Sequence, residues 1–323
     1  MMNYCLVTGA TGFIGRELCR HLRRKKNIVI KAVTRQKVEG SWDQSCFCDF
    51  DKGVISGEEM EGIDTVFYLA GIAHDFRTGL DVDSLDRKVN TEAPVILAAL
   101  AAEKGVKRFV FDSSVKAGGS PPQGICVGED FQGEPEGVYG RTKRDAEIEL
   151  LRIGKETGLH VSIIRPALVY GPNMKGNLHM MLNGIKKGWF PPLPETANIR
   201  TMVHIEDVVS ALILAAEKEE ANGEIFIVSD GKHYSSREIF NEMCIAVGNR
   251  IPSWSVPRIL FLILANIGDL LGQFMKVPFD SYRYNKLLGD DCYSSNKIRE
   301  KMDFQAKNTL RNALPEMVKA IRN

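Results

Sequence analysis

The chain has 323 residues, with 42 Lys and Arg against 41 Asp and Glu, which gives a net charge of +1. This length can bury one large core, or one core with a smaller lobe. The balanced charge provides no basic excess for a nucleic-acid partner and no acidic block typical of a disordered tail.

The seven cysteines are scattered and lack paired CxxC spacing. They predict neither a disulfide framework nor a metal site, and they favour a reducing, cytoplasmic setting. The amino terminus runs directly into an apolar strand pattern, so we expect no signal peptide.

The apolar run at residues 259–265 is the nearest match to a membrane segment. It is too short to cross a bilayer, because a spanning helix needs about 20 apolar residues. It predicts a buried or interface helix, and attachment to a membrane surface is the disfavoured alternative.

The first 24 residues follow the order strand, glycine-rich turn and amphipathic helix. The strand is predicted over 4–8, Gly9, Gly12 and Gly15 form the turn, and the helix covers 16–24. Glycines permit a tight turn and let backbone N–H groups approach a pyrophosphate at the helix start. This placement of a GxxGxxG pattern predicts the first half of a dinucleotide-binding βαβ unit.

The next strand, predicted over 28–33, ends at Thr34 and Arg35. An acidic residue at this strand end would bind the ribose 2′-hydroxyl of NAD. Threonine followed by arginine instead suits a 2′-phosphate, so we favour NADP as the cofactor over NAD. The alternative is that Arg35 is only an exposed charge at a strand end.

Strand patterns alternate with helical segments along the first half of the chain. The later strands are predicted over 47–50, 64–71, 108–114 and 161–166, and a helix is predicted from about Ser84 to Lys104. The alternation predicts an α/β fold with a doubly wound, mostly parallel sheet of the Rossmann type. Ligands of such sheets bind beyond the carboxyl ends of the strands, where Gly9, Gly71, Ser114 and Pro166 fall.

Tyr139 and Lys143 lie four residues apart in a run with helical character, so they share one helix face. A free tyrosine titrates near ~10, and a neighbouring ammonium lowers the pKa of the phenol. By itself such a pair also occurs by chance on exposed helices. With a phosphate loop before it and Ser114 at a strand end, it predicts a proton-transfer site.

After Pro172 the composition changes, and glycine, proline and asparagine become frequent. We predict an NAD(P)-binding domain over 1–172, to which segments near 201–229 return. Residues 173–323 are predicted to form mainly a smaller α/β substrate lobe. Ser235 and Glu238 form a capping-box pattern at the start of one of its helices.

Several motifs occur together in the expected order. They are GxxGxxG at 9–15, Asp49-Phe50, Leu69-Ala-Gly71, Ser113-Ser114, Tyr139xxxLys143 and the run at 165–172. With them the chain resembles the extended short-chain dehydrogenase/reductases, the NAD(P)-dependent nucleotide-sugar epimerase/dehydratase family. Residues 109–119 and 226–231 are similar to a bacterial surface-polysaccharide subgroup that reduces or epimerises C4 of UDP-N-acetylhexosamines.

The resemblance implies roles for individual residues. Ser114, Tyr139 and Lys143 would be catalytic. The substrate would contact Ser114, Tyr139, Asn177 and Arg200. The cofactor would contact Gly9, Thr11, Gly12, Phe13, Ile14, Gly15, Arg35, Asp49, Phe50, Ala70, Gly71, Tyr139, Lys143 and Pro166.

Two positions depart from the common family pattern, and one histidine has two interpretations. Gly118 stands where a tyrosine is usual, so Tyr139 is the only tyrosine placed to act. Leu168 stands where many relatives carry asparagine, so no sugar contact is expected from it. His74 either faces the substrate or is an ordinary loop histidine.

The resemblance implies an enzyme acting on a UDP-sugar. We favour NADPH-dependent reduction at C4 of a UDP-4-keto-6-deoxy-N-acetylhexosamine. One alternative is a UDP-N-acetylhexosamine 4-epimerase with tightly held NAD, and another is a non-catalytic dinucleotide-binding subunit. The oligomeric state is open, with a homodimer among the alternatives.

Overall fold

The computed structural model of the protein describes residues 2–25, 27–72, 80–272, 275, 277 and 279–321, so His74 lies outside the described part. The β-strands are β1 Tyr4–Thr8, β2 Val29–Thr34, β3 Gln44–Phe47, β4 Thr65–Tyr68, β5 Arg108–Asp112, β6 His160–Pro166, β7 Leu168–Tyr170, β8 Met202–His204 and β9 Glu224–Val228.

The α-helices of the described residues begin with α1, directly after the glycine-rich turn. They are α1 Phe13–Arg24, α2 Leu80–Arg87, α3 Ala93–Glu103, α4 Val115–Gly118, α5 Gly137–Thr157, α6 Asn177–Lys186, α7 Ile205–Glu217, α8 Ser236–Ala246, α9 Arg258–Leu271, α10 Ser281–Leu288, α11 Asn296–Met302 and α12 Leu310–Ala320.

Seven strands of the described residues form one parallel sheet in the order β3-β2-β1-β4-β5-β6-β9. Side chains alternate between its two faces, as the strand geometry requires. In β1, Leu6 packs with α3 and α5 on one face, while Val7 packs with α1 and α7 on the other. The predicted doubly wound Rossmann fold is therefore confirmed.

The carboxyl-terminal part is held together by its own apolar cluster, which joins α6, α8, α9, α10 and α12. A short parallel pair, β7 with β8, lies beside it, and β9 returns to the large sheet next to β6. The Asp207 carboxylate of α7 accepts hydrogen bonds from the backbone N–H groups of Lys307 (2.9 Å) and Asn308 (3.0 Å). The division into residues 1–172 and 173–323 stays a prediction.

Two predicted elements differ from the structure. The third strand was expected over 47–50 but covers Gln44–Phe47, so Asp49 and Phe50 lie in the turn that follows it. The long helix expected near 84–104 is interrupted by a π-helical turn at Lys88–Glu92. Such π-helical turns are rare and often lie at functional sites.

The sequence predicted no disulfide framework, but the structure contains one disulfide among its described residues. Cys126 and Cys292 form a disulfide, with Cα atoms 4.5 Å apart, between positions separated by 166 residues. Backbone bonds align the two segments, since Val127 N–H donates to the Cys292 carbonyl (3.1 Å) and Ser294 N–H to the Val127 carbonyl (2.8 Å). His233 Nε2 lies 3.8 Å and 3.7 Å from the two sulfurs. The prediction of no metal site stays a prediction.

The apolar run at 259–265 forms the first half of α9, which lies at the surface and is not a buried helix. Phe261, Ala265 and Gly268 face the lobe and Leu262 is half-buried against it, whereas Ile263, Leu264 and Ile267 are exposed. No helix among the described residues combines the length and apolar character needed to cross a bilayer.

Candidate active site

The glycine-rich turn folds so tightly that Gly9 and Gly15 have no room for a side chain. Gly9 has φ +64°, and a Cβ on Gly15 would lie 2.1 Å from the Gly9 carbonyl oxygen. Leu69 and Ala70 approach from β4, and their N–H groups donate to Thr8 Oγ1 at 3.0 and 3.1 Å. The exposed backbone at this helix start fits a dinucleotide pyrophosphate.

The start of α1 joins the two apolar cores. Phe13 packs against the cluster of the carboxyl-terminal lobe, and Ile14 packs against the core beneath the sheet. Thr11 is exposed, and its carbonyl oxygen accepts a 2.8 Å hydrogen bond from Arg16 Nε. Gly12 is the N-cap of the helix and offers no side-chain cap, which leaves the first N–H groups for a phosphate.

The end of β2, where the adenosine ribose of a dinucleotide is expected, carries no acidic residue. Thr34 is buried there, and its Oγ1 has no hydrogen-bond partner among the described residues. Arg35, the next residue, is exposed at the same edge as the glycine-rich turn, because β1 and β2 pair in parallel. Asp49 is half-buried, and the Phe50 ring lies 5.6 Å from the Tyr68 ring.

Ser114, Tyr139 and Lys143 converge where β5 ends and α5 begins. Ser114 is the N-cap of α4, and its side chain lies near enough to the Tyr139 phenol to lower the pKa of that phenol. Lys143 is buried one turn after Tyr139, and its Nζ donates to the Asp112 carbonyl oxygen at 2.7 Å. The distance from Lys143 Nζ to the centroid of the Tyr139 ring is 5.9 Å. The three predicted catalytic residues therefore share one site.

Burial governs the pKa values at this site. Desolvation lowers the pKa of Lys143 to about 8 and raises the pKa of Asp112 to about 7, each opposed by the charge of the other. Burial also raises the pKa of Tyr139, the Asp112 carboxylate adds to this, and the Ser114 side chain opposes it. The expected depression of the Tyr139 pKa by Lys143 is therefore wrong for this structure.

A buried ion pair lies behind the catalytic groups. The side chains of Glu147 and Arg165 are each 2% exposed. Arg165 Nε donates to Glu147 Oε1 at 2.8 Å and Nη2 to Oε2 at 2.5 Å, while Ser113 Oγ donates to Glu147 Oε1 at 2.5 Å. A Cβ on Gly118 would lie 3.0 Å from Arg165 Nη1, so the arginine occupies the space beside this glycine.

Asn90 is a further site residue whose role the sequence did not reveal. It is fully buried in the π-helical turn. Its Oδ1 accepts from Ile72 N–H (2.9 Å), and its Nδ2 donates to the Ile72 carbonyl (3.1 Å) and to Thr142 Oγ1 (3.2 Å). These bonds hold the segment after β4 against α5. Gly71 directly precedes Ile72. A Cβ on Gly71 would lie 3.4 Å from Asn90 Oδ1 and 3.4 Å from Lys143 Nζ.

A cavity of about 860 Å³ is lined by none of the three predicted catalytic residues. Its wall includes Ser120, shortly after α4, Gly137, the first residue of α5, and Arg200. The Arg200 guanidinium donates to the carbonyls of Lys286 (2.8 Å) and Gly289 (3.4 Å) and also contacts Asp291. The substrate role of Arg200 stays a prediction supported by its place in the cavity wall.

Neither Pro166, predicted to contact the cofactor, nor Asn177, predicted to contact the substrate, lines this cavity. Pro166 is buried at the end of β6, where it faces Val228 of β9 in the parallel register. Asn177 is exposed at the start of α6 and does not line the cavity, so the structure gives its predicted substrate role no support.

The model of the NAD dependent epimerase/dehydratase family matches residues 5–229. The chain belongs to this family. Its membership confirms the predicted class, an NAD(P)-dependent enzyme of the nucleotide-sugar epimerase and dehydratase type.

Two relatives of the chain are 4-epimerases. The chain is 34% identical over 266 residues to the UDP-glucose 4-epimerase of Vibrio cholerae, covering 78% of this chain and 77% of that protein. It is 25% identical over 319 residues to the N-acetyl-alpha-D-glucosaminyl-diphospho-ditrans,octacis-undecaprenol 4-epimerase of Escherichia coli O157:H7, covering 97% and 94%. The UDP-glucose 4-epimerase of Thermotoga maritima has the same fold, with a TM-score of 0.74 at 22% identity and 98% coverage of each chain.

Replacing Glu147 by alanine is expected to lower the free energy of unfolding by about 3–5 kcal/mol, because it leaves Arg165 buried without its partner. Urea denaturation measures the change. Glu149→Ala is the matched control on the same helix, since this side chain is 43% exposed and pairs only at the surface. That control is expected to change stability by less than about 1 kcal/mol. Equal effects would show that the buried pair does not stabilise the site.

The raised pKa of Asp112 predicts a pH dependence of stability. An unfolded aspartate titrates near ~3.9, whereas the folded group titrates at about 7. Between these values the folded state holds the additional proton, so the free energy of unfolding falls as pH rises. Asp112→Asn removes this loss. Urea unfolding at pH 4.5 and pH 7.5 should show the variant gaining on the native protein at the higher pH, and parallel profiles would contradict the assignment.

Proposed function

We propose that the protein transfers hydride at C4 of a UDP-linked N-acetylhexosamine, and that NADPH-dependent reduction of a 4-keto-6-deoxy sugar is its reaction. The observation that carries the proposal is the convergence of Ser114, Tyr139 and Lys143 at the ends of the sheet strands. A bound nicotinamide supplies the hydride. The cavity whose wall includes Arg200 and Gly137, two residues before Tyr139, offers room for part of a nucleotide sugar.

The side chains of the site suit proton delivery to a carbonyl oxygen. The raised pKa keeps Tyr139 protonated at neutral pH, which is the form that can donate to a C4 ketone as it becomes a hydroxyl. The Ser114 side chain lies close to the Tyr139 phenol, so both hydroxyl groups can be directed at one substrate oxygen. Lys143 is fixed by the Asp112 carbonyl, and it supplies positive charge near the Tyr139 ring.

The end of β2 favours the phosphorylated cofactor. Thr34 provides no carboxylate for a ribose 2′-hydroxyl, and Arg35 is exposed beside it. A guanidinium can bind a 2′-phosphate through two parallel hydrogen bonds. NADPH is the dinucleotide that this combination suits, and it is the usual reductant of a biosynthetic reductase.

The second candidate is 4-epimerisation, because the two relatives described above are 4-epimerases. In this reaction Tyr139 would take the C4 hydroxyl proton and later return it, while hydride leaves one face of the sugar and returns to the other. No net cofactor is consumed. One of these relatives is named for a sugar joined through diphosphate to undecaprenol, so the carrier as well as the reaction needs to be tested.

Tyr139→Phe is expected to lower kcat by about 10²–10⁴-fold, the usual contribution of a general acid or base. Dinucleotide affinity, measured by fluorescence titration, should change little because the ring stays in place. Tyr4→Phe, an exposed tyrosine on β1, is the control and should keep full activity. Full activity in the Tyr139 variant would exclude the proposed mechanism.

The assay that separates the candidate reactions follows NADPH absorbance and sugar composition together. UDP-4-keto and UDP-4-hydroxy hexosamines are tested beside a polyprenyl-diphosphate-linked hexosamine. Stoichiometric NADPH loss supports reduction, whereas interconversion of two hexosamines without NADPH loss supports the epimerase. Tight dinucleotide binding without turnover of any of these sugars would favour a non-catalytic subunit.

Arg35→Ala is expected to weaken NADPH binding by about tenfold or more, the size of a charge-assisted hydrogen bond. NADH affinity should change less than about twofold by the same reasoning. Lys37→Ala removes another exposed cation two residues away and serves as the matched control. Fluorescence titration gives both dissociation constants. Equal losses for NADPH and NADH would show that Arg35 does not read the 2′-phosphate.

A further inference from the structure

We infer that the protein docks on an anionic membrane surface through α9, lying in the plane of the interface. The contact surface is the α9 apolar face, formed by Ile259, Leu260, Ile263, Leu264, Ile267 and Leu270. This inference does not depend on the proposed reaction. It departs from the sequence-based expectation, which disfavoured contact with a membrane.

The α9 apolar face is continuous and unusually exposed. Its six side chains are each between 47% and 62% exposed. At about 100° per residue they occupy one arc of about 140° along the helix. Exposed apolar surface of this extent marks a contact site in a monomeric fold.

The helix is firmly seated, so its exposure is not that of a loose segment. On the opposite side Phe261 and Ala265 enter the core of the lobe, and the rings of Phe261 and Phe279 lie 6.0 Å apart. The Asp269 carboxylate accepts hydrogen bonds from Ser281 N–H at 3.0 Å and Ser281 Oγ at 2.5 Å. The fold therefore presents these aliphatic side chains on a fixed platform.

The surface at the amino-terminal end of α9 is basic. Two segments, 174–194 and 243–258, contain five Lys and Arg and no Asp or Glu, whereas Glu195 and Glu242 adjoin them and Asp269 lies further along α9. The segments touch, since Val256 N–H donates to the Pro192 carbonyl at 3.0 Å and Asn249 Nδ2 to the Ile185 carbonyl at 3.2 Å. All five cations are exposed: Lys175, Lys186, Lys187, Arg250 and Arg258.

Two of these cations donate to neutral groups, Lys186 Nζ to the Ile321 carbonyl at 3.1 Å and Arg258 Nε to the Tyr284 hydroxyl at 2.8 Å. None of the five forms an ion pair within the described residues, whereas many other basic side chains of the protein do. Two exposed tryptophans accompany them, Trp189 at 59% and Trp254 at 61%. An apolar helix face flanked by cations and tryptophan is the combination that binds anionic headgroups while burying aliphatic side chains.

A bilayer fits this surface better than a second copy of the chain. A two-fold interface places the same patch on both partners, so it must be self-complementary in charge. The five cations have no acidic counterpart in their own segments to supply that complementarity. A stable dimer also buries about 800 Å² on each partner, more than one face of a helix about 20 Å long provides.

Vesicle sedimentation tests the inference with the full chain. The native protein is expected to pellet with vesicles containing phosphatidylglycerol and to remain in solution with pure phosphatidylcholine. Ile263→Glu combined with Ile267→Glu should reduce the bound fraction more than tenfold. Ile148→Glu, a comparably exposed isoleucine on α5 at 58%, is the matched control and should bind like the native protein.

Thermal unfolding and light scattering complete the experiment. The substituted side chains are exposed, so the melting temperature and molecular mass of the double variant should match those of the native protein. Native protein that fails to pellet, or a double variant that pellets equally, would overturn the inference. A native dimer that dissociates in the double variant would show that a second copy covers the face, and this would overturn it as well.

Discussion

The buried ion pair between Glu147 and Arg165 is the interaction on which the site depends. Glu147 belongs to α5, Arg165 to β6, and Ser113, which also bonds the carboxylate, follows β5. One carboxylate thus fixes the helix that carries Tyr139 to the two strands that border it. Burying two charges is unfavourable unless their geometry is nearly ideal, so a small displacement of α5 would be resisted by this pair.

The sequence predicted those parts of the site that depend on residues close together in the chain. The strand, turn and helix around Gly9, and the helical spacing of Tyr139 and Lys143, depend on neighbours within a few residues. Burial is not coded in this way. The pKa values of Asp112 and Lys143 shift because distant elements exclude water from them. The sequence predicted a lowered pKa for Tyr139, whereas burial raises it.

Long-range pairing was likewise beyond prediction. Cys126 and Cys292 are 166 positions apart, and nothing in the spacing of the cysteines indicates that two segments bring them together. The apolar run in α9 shows the same limit. A run of aliphatic residues shows that burying the helix would be favourable. Whether other parts of the protein cover the helix depends on the surrounding fold.

The bonds from Asp207 to Lys307 and Asn308 have a consequence for engineering new specificities in this family. Through them the carboxyl-terminal chain is anchored on a helix that itself packs against the sheet, 100 and 101 residues earlier in sequence. Glu129 similarly accepts a 2.7 Å hydrogen bond from Ile227 N–H. A chimaera that exchanges residues 173–323 between relatives keeps Asp207 with its partners, but it separates Ile227 from Glu129 and β9 from its neighbour β6. Such an exchange therefore has to match residues on both sides of the crossover before the lobe can sit on a foreign sheet.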